Sequence, residues 1–168
     1  MKQMIPIFIV LCLSMPPTAV SQQEADPWQP LRALLGTWAG TGSGFGTVSE
    51  VVHEWEFVIG QHFLRLSTRS TSRAAEGSQE VHEDIGYLSL DADRDAFVFR
   101  QFLSEGYVNT YDVTVDGNDL PTIEFAYLDA ESAGGMRAQM RLVFVSADQY
   151  EMVLDLAGPE SRSWSVRR

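Results

Sequence analysis

Leu34-Leu35-Gly36-Thr37-Trp38-Ala39-Gly40-Thr41-Gly42-Ser43-Gly44-Phe45-Gly46 is the stretch whose reading decides the fold. As an extended strand, its side chains alternate between two faces. Gly36, Trp38, Gly40, Gly42, Gly44 and Gly46 then share one face, and Thr37, Ala39, Thr41, Ser43 and Phe45 share the other. One face is thus a single indole followed by nearly bare main chain. Glycine inside a strand marks a bend or a close approach to the backbone, so the glycines in phase after Trp38 predict a group lying flat against them. A dinucleotide loop does not fit, because its glycines are spaced G-x-G-x-x-G and lead into an apolar helix. A G-x-S-x-G nucleophile elbow does not fit either, since Thr41 and Phe45 flank Ser43 where glycines are required.

Outward from this stretch the chain continues as short alternating segments separated by turn residues, at spacings of roughly 10 to 15 residues, which is the mark of an all-β barrel or sandwich. Val51, His53, Trp55, Phe57 and Ile59 share a face, with Glu54 and Glu56 opposite. Gly60-Gln61 turns the chain into a strand from His62 to Arg69, Ser70 to Gln79 reads as a loop, and Glu80 to Leu90 is the next strand. Phe97, Phe99, Gln101 and Leu103 alternate, then Tyr107, Asn109, Tyr111, Val113 and Val115. Asp116-Gly117-Asn118 is a hairpin signal. Met136 to Phe144, Tyr150 to Leu156, and a last strand through Trp164 and Val166 complete the set. Leu31 to Leu35 is expected to form one helical turn that plugs an end. The expected fold is all-β: a single antiparallel barrel of about ten strands with a short N-terminal helical turn, closed so that no edge is left unpaired. A barrel that wide is not readily filled by its own side chains, which implies a cavity.

Gly36-Thr37-Trp38-Ala39-Gly40-Thr41-Gly42, continuing to Gly44, resembles the G-x-W-x-G-x-G-x-G signature of the nitrobindins, small β-barrels related to fatty-acid-binding proteins and lipocalins. Val81-His82-Glu83-Asp84-Ile85-Gly86-Tyr87-Leu88 is similar to the mid-chain segment of that family, a histidine and an acid shortly before Gly-aromatic-aliphatic. The resemblance spans residues 31–168. It implies a calycin barrel with Trp38 at the closed end and a late arginine, Arg167 or Arg168, over the indole, a contact of ~0.5 to 2 kcal/mol. It also implies a possible haem cofactor. The family's proximal histidine lies in its final strand, whereas here Ser161-Arg162-Ser163-Trp164-Ser165-Val166-Arg167-Arg168 contains none.

The chain's start has the plan of a secretory signal peptide: Lys2, an apolar run from Ile5 to Leu13, and Ala19-Val20-Ser21 before Gln22. The expected organisation is a signal over 1–21, an N-terminal tail over 22–30 and the barrel domain over 31–168. The product would be periplasmic or secreted and, after cleavage, free of the membrane. Cleavage removes the only lysine and the single cysteine. Thiol and Schiff-base chemistry would go with them. The formal net charge of −11 argues against nucleic acid and anionic membranes as partners.

The three histidines, His53, His62 and His82, are scattered and form no metal-ligand spacing. His53 reads as a core histidine bonded to backbone, and His62 as exposed. Glu54, Glu56, Glu83 and Asp84 read as solvated charges, and Asp91-Ala92-Asp93-Arg94-Asp95 as a turn, since Ala96 and Phe102 occupy the positions where a calcium loop carries glycine and an acid. No catalytic or metal residue is assigned. The expected function is non-catalytic binding of a small hydrophobic or amphipathic ligand by Trp38, Gly40, Gly42, Gly44, His53, Trp55, Phe57, His82, Phe99, Tyr111 and Phe144. The alternatives are a haem protein with a substituted or missing axial ligand and a calycin-like enzyme using inward carboxylates.

Overall fold

The computed structural model describes residues 26–44, 47–73, 77–131, 137–156 and 161–168. The expected signal peptide, most of the tail, and Phe45 and Gly46 lie outside the described residues. A 3-10 helix, Gln29–Leu34, precedes ten strands: β1 Gly36–Gly44, β2 Thr47–Val58, β3 Phe63–Arg73, β4 Gln79–Asp91, β5 Ala96–Leu103, β6 Val108–Asp116, β7 Thr122–Glu131, β8 Ala138–Ser146, β9 Gln149–Leu156 and β10 Ser161–Arg167. Each strand pairs antiparallel with its predecessor, and β10 returns to β1, so the sheet closes into the expected barrel.

The glycine face of β1 points inward, and Gly40 shows why it is bare. A Cβ there would stand 2.0 Å from the Ser165 carbonyl oxygen, so side-chain atoms would drive β10 off β1 at the seam. Gly86 on β4 serves another close approach: the Phe99 ring covers it, with Cζ 2.0 Å from where a Cβ would be. The group lying flat on Gly40 is therefore the last strand itself.

One end of the barrel is sealed. Leu31 and Leu34 of the helix are buried against Trp38, which is 0% exposed and donates its indole N–H to the Leu34 carbonyl at 2.6 Å. Phe144 and Tyr150 pack on Trp38 with ring centroids 5.7 and 4.7 Å away. The late arginine is Arg168, its guanidinium carbon 4.5 Å from the indole centroid. Its N–H groups donate to the carbonyls of Leu35, Ala33 and Ala147. The helix starts at Gln29, and Trp28 before it packs edge-on against Phe57 and Phe97. The described end of the expected tail thus belongs to the plug.

The loop expected over Ser70 to Gln79 is corrected. β3 runs on to Arg73 and β4 begins at Gln79, with Ser70 opposite His82 and Ser72 opposite Glu80. These small polar residues look like loop because they lack the apolar alternation of a packed strand, yet β2 and β4 satisfy their main chain on both sides. Ile59 ends its strand differently from the expectation: it sits in the β2–β3 turn at φ 50°.

Candidate functional site

Strand register stacks the inward residues of β2, β3 and β4 in rows across the wall. From the sealed end outward the rows are Phe57–Leu64–Leu88, Trp55–Leu66–Gly86, His53–Thr68–Asp84, Val51–Ser70–His82 and Ser49–Ser72–Glu80. The two rows nearest the sealed end are apolar and the three beyond them are mostly polar. A cavity of about 700 Å³ occupies the more polar half and reaches the surface between exposed residues such as Thr47, Glu80 and Glu105. Its inner part is apolar: Leu66, Phe99, Tyr111 and Phe125, with Met140 and Met152 from the far wall. Phe99 and Phe125 meet edge-on at 5.2 Å and form much of the floor.

His53, 1% exposed, joins the sealed end to the cavity. Its partner is not backbone, as expected, but the hydroxyl of Tyr150, 2.7 Å from Nδ1. The Trp55 indole N–H donates to the same hydroxyl oxygen at 3.1 Å. The hydroxyl oxygen can accept a second bond or donate its own proton, so the contact suits either tautomer of the His53 ring. Burial holds the His53 pKa down at about 4, against a smaller opposing pull from Asp84, so the ring is neutral at neutral pH.

At the mouth His82 lies between two acids. Its Nε2 is 3.5 Å from Asp84 Oδ2 and its Nδ1 is 2.9 Å from Glu105 Oε1. The short β5–β6 connection brings Glu105 there, anchored by the Ser104 N–H donating to the Glu83 carbonyl. The hydrogen bond to Asp84 is the main cause of a raised His82 pKa, with Glu105 adding to it and burial opposing. Asp84 overturns the solvated reading: it is 7% exposed and lines the cavity. Glu54 and Glu83 are exposed as expected, and Glu56 pairs with Arg65. Tyr111, pushed up to about 12 mainly by burial, accepts a hydrogen bond from the Asn109 side-chain amide.

Of the expected ligand residues, Gly44, His53, His82, Phe99 and Tyr111 line the cavity. Trp38, Trp55 and Phe144 belong to the core at the sealed end, and Phe57 packs there against Trp28 and Arg32. Gly40 and Gly42 face β10 across the seam. Sequence reasoning missed Asp84, the Ser/Thr rows and the two methionines. The parity that puts Asp84 in phase with Gly86 and Leu88 was the available signal.

A donor set for haem can be tested on these contacts. Both His82 nitrogens face acids, His53 is held by Tyr150 through Nδ1 and has only Nε2 to offer, and His62 is exposed in a turn. Among the described lining residues there is no arginine or lysine for propionates. Among the described histidines, His53 through Nε2 is thus the one nitrogen left for an iron, with no described lining cation for the propionates.

The family model described as a THAP4-like, heme-binding beta-barrel domain matches residues 28–157. A peroxynitrite isomerase from Nocardia farcinica (strain IFM 10152) is 41% identical over 61 residues, covering 34% of this chain and 36% of that protein. The chain thus spans about a third of the length of the curated relative it matches. Among solved structures, a redesigned β-barrel, mFAP0, bound to DFHBI is 13% identical, with a TM-score of 0.44 over 81% of this chain and 99% of that one. A de novo designed fluorescence-activating β-barrel is 13% identical, with a TM-score of 0.42 over 83% of this chain and 97% of that one.

Proposed function

This chain belongs to the family of THAP4-like, heme-binding beta-barrel domains, and on that premise we propose that it is an exported binding protein whose barrel takes up a small amphipathic ligand without transforming it. The observation that carries the reading is the polarity gradient of the cavity of about 700 Å³. Its floor of Phe99, Phe125, Met140 and Met152 suits hydrocarbon, and its rim of serines, threonines and acids suits a polar head. Methionines adapt their shape to different chains, which favours a class of ligands over one rigid molecule. Native mass spectrometry of protein recovered from its own compartment tests this. A small organic mass increment that disappears on denaturation is expected, and an intact mass that begins at Gln22. Protein that carries nothing and takes up no amphiphile overturns the reading.

Haem is the second reading, favoured by the family match. It must contend with the donor set above, in which His53 Nε2 alone among the described histidines is left for an iron and no described lining residue is a lysine or arginine. In a hemin titration the first reading expects no sharpened Soret band. A sharp band lost on His53→Ala would put haem in its place. A match over a third of the isomerase's length carries no activity across.

A further inference from the structure

His53 keeps one nitrogen unused. Its Nδ1 is engaged by the hydroxyl of Tyr150, a residue of the core at the sealed end, so Nε2 on the other side of the ring points away from that core. Nε2 has no hydrogen-bond partner, and unlike Asp84 Oδ1 it is not shut off from solvent: the 1% of His53 that is exposed includes it, and the residue lines the cavity. Buried polar atoms are nearly always paired, and leaving one unpaired is costly. Whatever fills the space beside Nε2 is therefore favoured if it brings a hydrogen-bonding group. Thr68, half-buried, stands opposite His53 in the same row and lines the cavity as well.

The surroundings decide which group that is. His53 and Thr68 form the first polar row above Leu66 and the Phe99 ring, where the apolar floor ends. The imidazole is neutral, its pKa held down at about 4 by burial, so it offers a lone pair or one N–H and no charge. An ammonium head would be buried there against neutral partners, because Asp84 Oδ2 faces His82 and Oδ1 is closed off. A carboxylate or phosphate head would meet the field of Asp84, which reaches the His53 ring, and would have to pass Glu80 and Glu105 at the mouth. A hydroxyl both donates and accepts, so it suits either tautomer of the ring and has a second bond to share with Thr68. We infer that the cavity selects an uncharged apolar molecule bearing a hydroxyl group, with the hydroxyl bonded to His53 Nε2 and the hydrocarbon lying against Phe99, Phe125, Met140 and Met152. This rests on the barrel being a binder.

Calorimetric titration of the whole protein with decanol, its isomer 1-methoxynonane, decanoate and decylamine compares four heads on tails of similar length. Decanol is expected to bind about five- to tenfold tighter than the ether, as for one net hydrogen bond, and tighter than either charged compound. In His53→Phe, with its fold checked by circular dichroism, decanol should fall to the level of the ether. Imidazole nitrogen NMR of the unaltered protein gives a second readout that does not depend on the variant folding. Saturating decanol should move the His53 Nε2 resonance and leave that of the exposed His62 in place. The ether, decanoate or decylamine binding as tightly as decanol overturns the hydroxyl assignment and leaves the binder standing. A decanol advantage kept in His53→Phe, or an Nε2 resonance that does not move, removes His53 from the role. No binding of any of the four overturns both.

Discussion

The two ends of this barrel treat polar groups in opposite ways. At the sealed end the Trp38 indole N–H, the Arg168 guanidinium and the Tyr150 hydroxyl each have named partners, and rings fill the space between them. At the mouth the wall is as well paired, yet its inward side chains border open space, and the Asp84 Oδ1, closed off from solvent, has no hydrogen-bond partner. The same ladder of backbone bonds therefore supports two tasks. One end fixes the fold, and the other leaves a cavity open to the surface.

Breaking the sealed end should have the largest effect. Trp38→Ala removes the central ring of the plug and the platform for Arg168, and is expected to cost about 3–5 kcal/mol, read as a fall in the urea midpoint. The seam between the two ends comes next. His53 is held neutral with a pKa lowered from 6.5 to about 4, so its contribution is intact above pH 6.5 and is lost as the pH falls toward 4. The full loss is on the order of 3 kcal/mol. His82 runs the other way: its raised pKa adds stability below 6.5 that disappears as the pH rises through the folded value. Urea midpoints from pH 4 to 8 should slope less in His53→Gln than in the parent at the acid side. An unchanged slope would break the assignment. The smallest effect, and opposite in sign to the first, is at the mouth. Asp84→Asn should raise the stability of the ligand-free protein by less than about 1 kcal/mol, because a half-paired buried acid is replaced by a neutral amide. A clear loss would mean that the mouth is structural in the same sense as the plug.

Legibility in the sequence divides along the same line. The sealed end was readable: Trp38, the helical turn and a late arginine over the ring all follow from the pattern and the resemblance. The Phe97–Phe99–Gln101–Leu103 and Val51–His53–Trp55 alternations gave their inward faces correctly. The mouth was not readable, for physical reasons. Inward residues there face space instead of a core, so Ser70 and Ser72 carry no apolar periodicity and pass for loop, and an inward Asp84 passes for a surface charge. The His53–Tyr150 pair joins residues 97 apart, a distance at which no local pattern can speak. Gly40 was rightly singled out for a close approach, but what approaches is the last strand.

The pairing of Ala39 with Arg167 and of Gly40 with Val166 makes the first strand wait for the last. Contacts so remote along the chain are entropically slow to form. Until β10 arrives, β1 and β9 each present an open edge to any other chain nearby. The seam is therefore a late step in assembly, and Arg168, reaching back over Trp38, fastens it.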